Sequence, residues 1–231
     1  METVGMLGGM SWESTRLYYD IMNREVQKRL GGVHSAKILL WSFDFGEISE
    51  LQRTGRWDTA TARMADAGVR LARAGADFLV IACNTMHLMA DALERAAGIP
   101  LLHIADPLGE AIKADGYSKV GLLGSCFTME NDRIVKGRLA ARYGIETILP
   151  HKPDAVEVDR IILDELVRSE LHDSSRARYR EIIAELVGRG AEGIVLGCTE
   201  IPLLVKQEDS AVPLYDTATL HALAAVERAL A

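Results

Sequence analysis

Along the chain, short apolar runs alternate with longer stretches in which apolar residues recur at helical spacing. TVGMLGG (residues 3–9) is an apolar run closed by glycines, and SWESTRLYYDIMNREVQKRL (11–30) reads as a helix with Ser11, or alternatively Ser14, as its N-cap. AKILLWSFDF (36–45) predicts a second strand. Residues 58–74 place Met64, Ala67, Gly68, Leu71 and Ala72 on one helical stripe. The turn that follows carries Gly75, where a helix end favours a positive φ. Strand, helix, strand in this order is the grammar of a parallel sheet covered on both faces.

The pattern occurs twice. VGMLGG from Val4 aligns with VGLLGS from Val120, 116 residues on, and LARAGADFLVIAC from Leu71 aligns with LVGRGAEGIVLGC from Leu186, 115 residues on. A weaker pair, IPLLHIAD from Ile99 and VPLYDTA from Val212, lies at an offset of 113. The helical stripe recurs as Tyr179, Ile182, Ile183, Leu186 and Val187, followed by Gly190. Nearly constant offsets in one order predict two homologous α/β halves with parallel sheets. We place the first at residues 1–105 and the second at 106–216, with a helix at about 217–231 expected to pack back on the first half.

Composition narrows the function classes. Hydrophobic residues make up 48% of the 231, enough for a real core, which excludes a disordered chain. Twenty-six Lys and Arg against 33 Asp and Glu leave a net charge of −7, a poor basis for binding a phosphate backbone. The longest apolar run, FLVIAC, is far short of the roughly 20 residues that cross a bilayer. Residues 1–15 have neither the basic leader nor the cleavage pattern of a targeting peptide. The expectation is a soluble, cytoplasmic protein that binds neither nucleic acid nor membrane. Its 3 cysteines form no disulfide framework or zinc pattern, and GMLGGM lacks dinucleotide-loop spacing.

Two of those cysteines occupy matching positions. Cys83 ends FLVIAC before NTMH, and Cys198 ends GIVLGC before TEIPLL. The carboxyl end of a parallel strand, leading into a helix, is where ligands bind and where a thiol pKa is lowered. A single cysteine at a strand end is more often space-filling; a matched pair is not readily explained that way. Cys126, whose counterpart in the first half is Met10, is read as structural or as part of a cleft wall. Two opposed thiols suit inversion at a carbon acid, one removing the α-proton while the other supplies a proton to the opposite face.

GMLGGMSWEST (5–15), ACNTMH (82–87), LGCTEIPLL (196–204) and PLYDTA (213–218) resemble the aspartate/glutamate racemase superfamily, in particular its aspartate racemase and broad-specificity amino-acid racemase branch. The resemblance spans essentially the whole chain. It implies two pseudo-symmetric Rossmann-like α/β domains with the active site in the cleft between them, a two-base mechanism free of pyridoxal phosphate and of metal, an amino-acid substrate, and a homodimer. It makes Cys83 and Cys198 the catalytic bases and gives Asn84, Thr85 and Thr199 the α-carboxylate and ammonium groups. Met10, Ser11 and Thr128 would line the cleft, though Ser and Thr also serve as ordinary helix caps. Glu200 would tune Cys198, or else act as a first-turn acid. Gln52 and Arg53, together with Arg168 on the helix read from IILDELVRSEL, are the candidates for a distal carboxylate. WSFDFGEI lacks the proline common in aspartate racemases, which counts against strict aspartate specificity. His87 is read as core or cleft wall, without a catalytic role, and Trp12 and Trp57 as core or lid. Related two-cysteine proteins that isomerise maleate, decarboxylate arylmalonates or racemise hydantoins remain alternatives, as does a non-catalytic binder or redox switch.

Overall fold

In the computed structural model, which describes residues 1–231, every residue of the first strand is buried, as a parallel strand packed on both faces requires. The chain gathers into two units, Met1–Ile104 with His221–Ala231, and Ala105–Leu220.

The first unit runs β1 (Val4–Gly8), α1 (Trp12–Leu30), β2 (Ile38–Ser42), α2 (Phe45–Arg53), α3 (Trp57–Arg73), β3 (Phe78–Ile81), a 3-10 turn (Thr85–Met89) and α4 (Ala90–Ala97). Its sheet is parallel in the order β2-β1-β3, with Val4 opposite Ile38 and Phe78. Leu101 adds an isolated parallel bridge to Leu79. The predicted stripe of α3 buries Met64, Ala67, Gly68 and Leu71 in the core, and truncating such a leucine to alanine costs about 2–5 kcal/mol. β2 stops at Ser42, three residues before the sequence pattern suggests, because Asp44 caps α2: its Oδ1 accepts from the Gly46 N–H at 2.9 Å. Trp12 is 62% exposed, so it is no core residue, whereas Trp57 packs against the core.

The second unit runs α5 (Ala105–Ala114), β4 (Lys119–Leu123), α6 (Cys126–Glu130), α7 (Lys136–Tyr143), β5 (Glu146–Ile148), α8 (Lys152–Asp164), a 3-10 turn (Leu166–Arg168), α9 (Asp173–Gly188), β6 (Gly193–Leu196), α10 (Ile201–Leu204), a 3-10 turn (Gln207–Asp209) and β7 (Leu214–Asp216). Its sheet is parallel in the order β5-β4-β6-β7. Tyr179, Ile182, Ile183 and Leu186 are buried on α9, the counterpart of the α3 stripe. The helix predicted through Arg168 ends instead at Asp164 and gives way to the 3-10 turn. The final helix, α11 (Thr217–Leu230), begins in this unit and belongs to the first from His221 onward.

The two units repeat one topology. β4, β5 and β6 pair as β1, β2 and β3 do, and Leu214, paired with Ile194 of β6, corresponds to Leu101 on β3 at the predicted offset of 113. No helix is long and apolar enough to cross a membrane.

Candidate active site

Each of the two matched cysteines is the first residue beyond the last rung of its sheet. The Ala82 N–H donates to the Leu7 carbonyl at 2.9 Å, and the Gly197 N–H donates to the Leu123 carbonyl at 2.6 Å. Cys83 and Cys198 follow directly. Gly197 is dictated by this close approach, since a Cβ there would stand 2.7 Å from Leu122 Cδ1 and 3.0 Å from the Leu123 carbonyl oxygen. Both cysteines are partly exposed, and none of the three cysteines is in a disulfide.

The helix starts expected behind both thiols are short. The 3-10 turn after Cys83 begins at Thr85, and α10 has four residues and starts three positions after Cys198. What meets Cys198 is a carboxylate. Cys198 Sγ–H donates to Glu200 Oε2 at 3.0 Å, and Thr199 Oγ1–H donates to the same oxygen at 2.9 Å. Thr199 and Glu200 are both only 4% exposed. The carboxylate accepts from both neighbours, which makes the thiol the proton-bearing partner. The 3-10 turn that ends in Arg168 packs against α10; Arg168 itself is exposed.

Around Cys83, Asn84 is buried and Thr85 half-buried. The Cys83 carbonyl lies 2.8 Å from His87 Nδ1, and the His87 N–H donates to the Asn84 carbonyl at 3.0 Å. Gln52 reaches this turn from α2, its Nε2 donating to Met86 Sδ at 3.1 Å. Its neighbour Arg53 is turned outward: the side chain is 73% exposed and binds both carboxylate oxygens of Glu50. Met10 is part of the buried cluster against which Cys83 packs. Ser11 is buried and caps α1, accepting from the Ser14 N–H at 3.4 Å, so of the two predicted caps Ser11 is the one used.

The loop before Ser11 is fixed by Gly9, which has φ of +82°; a Cβ there would fall 2.2 Å from the Phe43 carbonyl oxygen. In the equivalent loop of the second unit Thr128 is buried, and its N–H and hydroxyl both meet Ser125 Oγ, the cap of α6. Cys126 is anchored structurally: its N–H donates to Asp159 Oδ1 at 2.8 Å and its thiol to the Ala155 carbonyl at 3.5 Å. Burial, followed by the Asp159 charge, pushes that thiol up from its ordinary range.

Sequence reasoning did not find the histidine cluster behind Cys83. The rings of His103 and His221 lie 4.6 and 5.5 Å from that of His87, and Tyr18 Oη lies 2.9 Å from His221 Nδ1. The only local signal is His87, four residues after Cys83; the other members come from distant segments.

A repeated parallel α/β unit with a thiol at the end of each equivalent strand defines a class of two-cysteine proteins. Residues 7–225 match the Asp/Glu/Hydantoin racemase family, and the chain belongs to it. It is 23% identical to the broad specificity amino-acid racemase RacX of Bacillus subtilis, over 99% of this chain and 98% of that one. An aspartate racemase homologue from Pyrococcus horikoshii superposes with a TM-score of 0.86 at 31% identity, covering 100% of both chains. A Yersinia pestis protein provisionally described as an Asp/Glu racemase superposes with a TM-score of 0.94 at 48% identity, again over 100% of both.

Proposed function

We propose that this protein is a cofactor-independent amino-acid racemase that acts on aspartate or glutamate with tolerance for other side chains, and that Cys83 and Cys198 are its two bases. The observation that carries the reading is the equivalence of the two thiols, each one residue past the matching rung of a repeated parallel sheet. Racemisation must run in both directions, so it needs two groups of one chemical type that exchange the roles of acid and base. The mechanism requires both thiols to address one Cα from opposite faces.

In this reading one cysteine, as thiolate, takes the α-proton, and the other returns a proton to the opposite face of the planar carbanion. With its thiol donating to Glu200, Cys198 stands in the acid state. Glu200 provides the acceptor to which the thiol proton passes when Cys198 turns to act as base. Asn84, Thr85 and Thr199, each next to or near a thiol, hold the α-carboxylate and ammonium; Met10, Ser11 and Thr128 complete the walls. The developing negative charge on the carboxylate is met by such fixed donors, which act most strongly where water is excluded. Gln52, tied to the Cys83 turn, is the distal-group contact on the first unit, and Arg168, on the turn against α10, is that on the second. Arg53 serves only if its pair with Glu50 opens.

The test is to incubate the purified protein in D₂O with each enantiomer of aspartate, of glutamate and of a panel of neutral amino acids, omitting pyridoxal phosphate and adding a chelator. The expected outcome is α-deuterium incorporation together with inversion, fastest for the acidic pair. No exchange across the panel, with the thiols titrated as reduced, overturns the assignment.

A further inference from the structure

We infer that His87, held as a neutral imidazole of one fixed tautomer, is a positioning residue that clamps the Cys83 turn for proton transfer; this rests on the assignment of Cys83 as a base. Two hydrogen bonds fix which ring nitrogen carries the proton. Nε2 lies 3.1 Å from the Ile104 backbone nitrogen, which can only donate, so Nε2 bears the lone pair. The ring proton therefore sits on Nδ1 and is donated to the Cys83 carbonyl at 2.8 Å.

His221 holds the other side by the same logic. Its Nε2 donates to the Leu102 carbonyl at 2.9 Å, and its Nδ1 accepts from the Tyr18 hydroxyl at 2.9 Å. Residues 102–104, pinned beside β3 by the Leu102 N–H to the Leu79 carbonyl, thus form a rail to which His87 ties the cysteine's own peptide. The ring is 2% exposed, and burial, with His103 and His221 beside it, keeps it uncharged.

A base that must meet an α-proton in line gains from a fixed backbone, and a misplacement of about 1 Å costs about 10²-fold in rate. The donor on the Cys83 carbonyl also offsets the negative end of that dipole next to the thiolate, so its loss raises the pH at which the thiol ionises.

The experiment compares His87→Asn, whose amide N–H overlays the Nδ1 donor, with His87→Leu, which removes it, and His87→Gln, whose longer amide reaches toward Ile104 instead. Three quantities are read: kcat and KM separately, melting temperature, and the pH profile of iodoacetamide alkylation at Cys83, followed by peptide mass spectrometry. We expect His87→Leu to lose about 10²-fold in kcat with KM nearly unchanged. Its alkylation midpoint should move upward, and His87→Asn should restore both.

Val26→Ala, a truncation of a fully buried residue of α1, should lower the melting temperature and move neither readout. If His87→Leu does not fold, the contrast of Asn with Gln carries the same test. An alkylation profile unchanged in His87→Leu, or Asn no better than Gln, overturns the assignment of His87. Absence of racemisation in the unaltered protein overturns the racemase reading instead, and the alkylation arm still decides whether His87 sets the reactivity of Cys83.

Discussion

Cys198 and Glu200, two residues apart, share a hydrogen bond in which the thiol donates to a carboxylate oxygen at 3.0 Å, and Thr199 donates to that same oxygen. At Cys198 the thiol itself meets a carboxylate, whereas at Cys83 the backbone carbonyl accepts from a neutral imidazole. The Glu200 carboxylate is thus the hydrogen-bond acceptor for both Cys198 and Thr199.

Glu200→Gln retains an acceptor and removes the charge. Racemisation should fall by about 10²-fold, the low end of what a positioned acid or base contributes. Because two enantiomers are equal in energy, kcat/KM must fall equally in both directions. The asymmetry should appear in kcat and KM taken separately, measured from D- and from L-substrate. Identical changes in both parameters for the two enantiomers would show that Glu200 does not distinguish the thiols.

Cys83→Ser and Cys198→Ser should each lower racemisation by about 10²–10⁴-fold, since a hydroxyl is a far weaker acid than a thiol. Both side chains are partly exposed, so melting temperatures should stay close to that of the unaltered protein. Each variant should still wash deuterium into one enantiomer in D₂O without inverting it, and the preferred enantiomer should differ between the two. Near-normal turnover in both would end the two-base assignment.

The matched cysteines were legible because the repeat preserves the run from the helix stripe through the glycine turn into the buried strand, from Leu71 to Cys83 and from Leu186 to Cys198. Contacts made within the chain's local order were legible too, such as Ser11 capping α1. What stayed hidden depends on distance along the chain. Nothing local announces that Gln52 meets Met86, or that Tyr18 and His221 brace residues 102–104. One expectation fails for a local reason: Asp44 caps a helix where the apolar run continues to Phe45, so β2 ends at Ser42. The pairing of Arg53 with Glu50, one turn away, is equally local.

Gln52 and Arg53, adjacent on α2, differ in what they touch. Gln52→Ala removes a contact to the Cys83 turn, whereas Arg53→Ala opens only an exposed ion pair worth about 0–1 kcal/mol. Gln52→Ala should raise KM more for aspartate than for a neutral amino acid, with Arg53→Ala close to unaltered. Arg168→Ala should behave as Gln52→Ala does. Equal effects on acidic and neutral substrates would remove both from distal recognition.

Acid should destabilise the fold through His87 well above the carboxylate range. Its pKa in the folded protein is depressed, chiefly by burial, from the usual value of about 6.5, so the unfolded chain takes up a proton that the folded one refuses. Stability is therefore full above about pH 6.5 and declines as pH falls below it, at a limiting slope of about 1.4 kcal/mol per pH unit. Asp106 and Asp209 act in a separate window. Burial alone would raise them, but arginine partners, Arg138 and Arg142 for the first and Arg176 for the second, hold them low. Their contribution is lost only as pH falls through about 4. Urea unfolding at pH 7.5, 6.5, 5.5 and 5.0 should show the decline, and His87→Asn should flatten it. A curve unchanged by the substitution would assign the decline elsewhere.

Gly9→Ala tests whether the loop that leads into Ser11 tolerates any side chain. Its φ of +82° already costs an L-residue about 1–2 kcal/mol. The new Cβ would also stand 2.2 Å from the Phe43 carbonyl oxygen and 2.5 Å from the Phe43 nitrogen, backbone atoms that cannot rotate away. That nitrogen donates to the Gly8 carbonyl at 3.0 Å, and the Gly9 N–H donates to Thr15 Oγ1 at 2.7 Å, so relief of the clash must break the join between β1, β2 and α1. The expected loss is about 3 kcal/mol or more, read as a shift of the urea midpoint, together with reduced racemisation as Met10 and Ser11 move. Gly55→Ala is the comparison, with φ of +67° and open space where its Cβ would stand, and should cost only the conformational part, about 1–2 kcal/mol. Equal losses at the two glycines would show that the loop at Gly9 yields, and that its close approach to Phe43 does not hold the site.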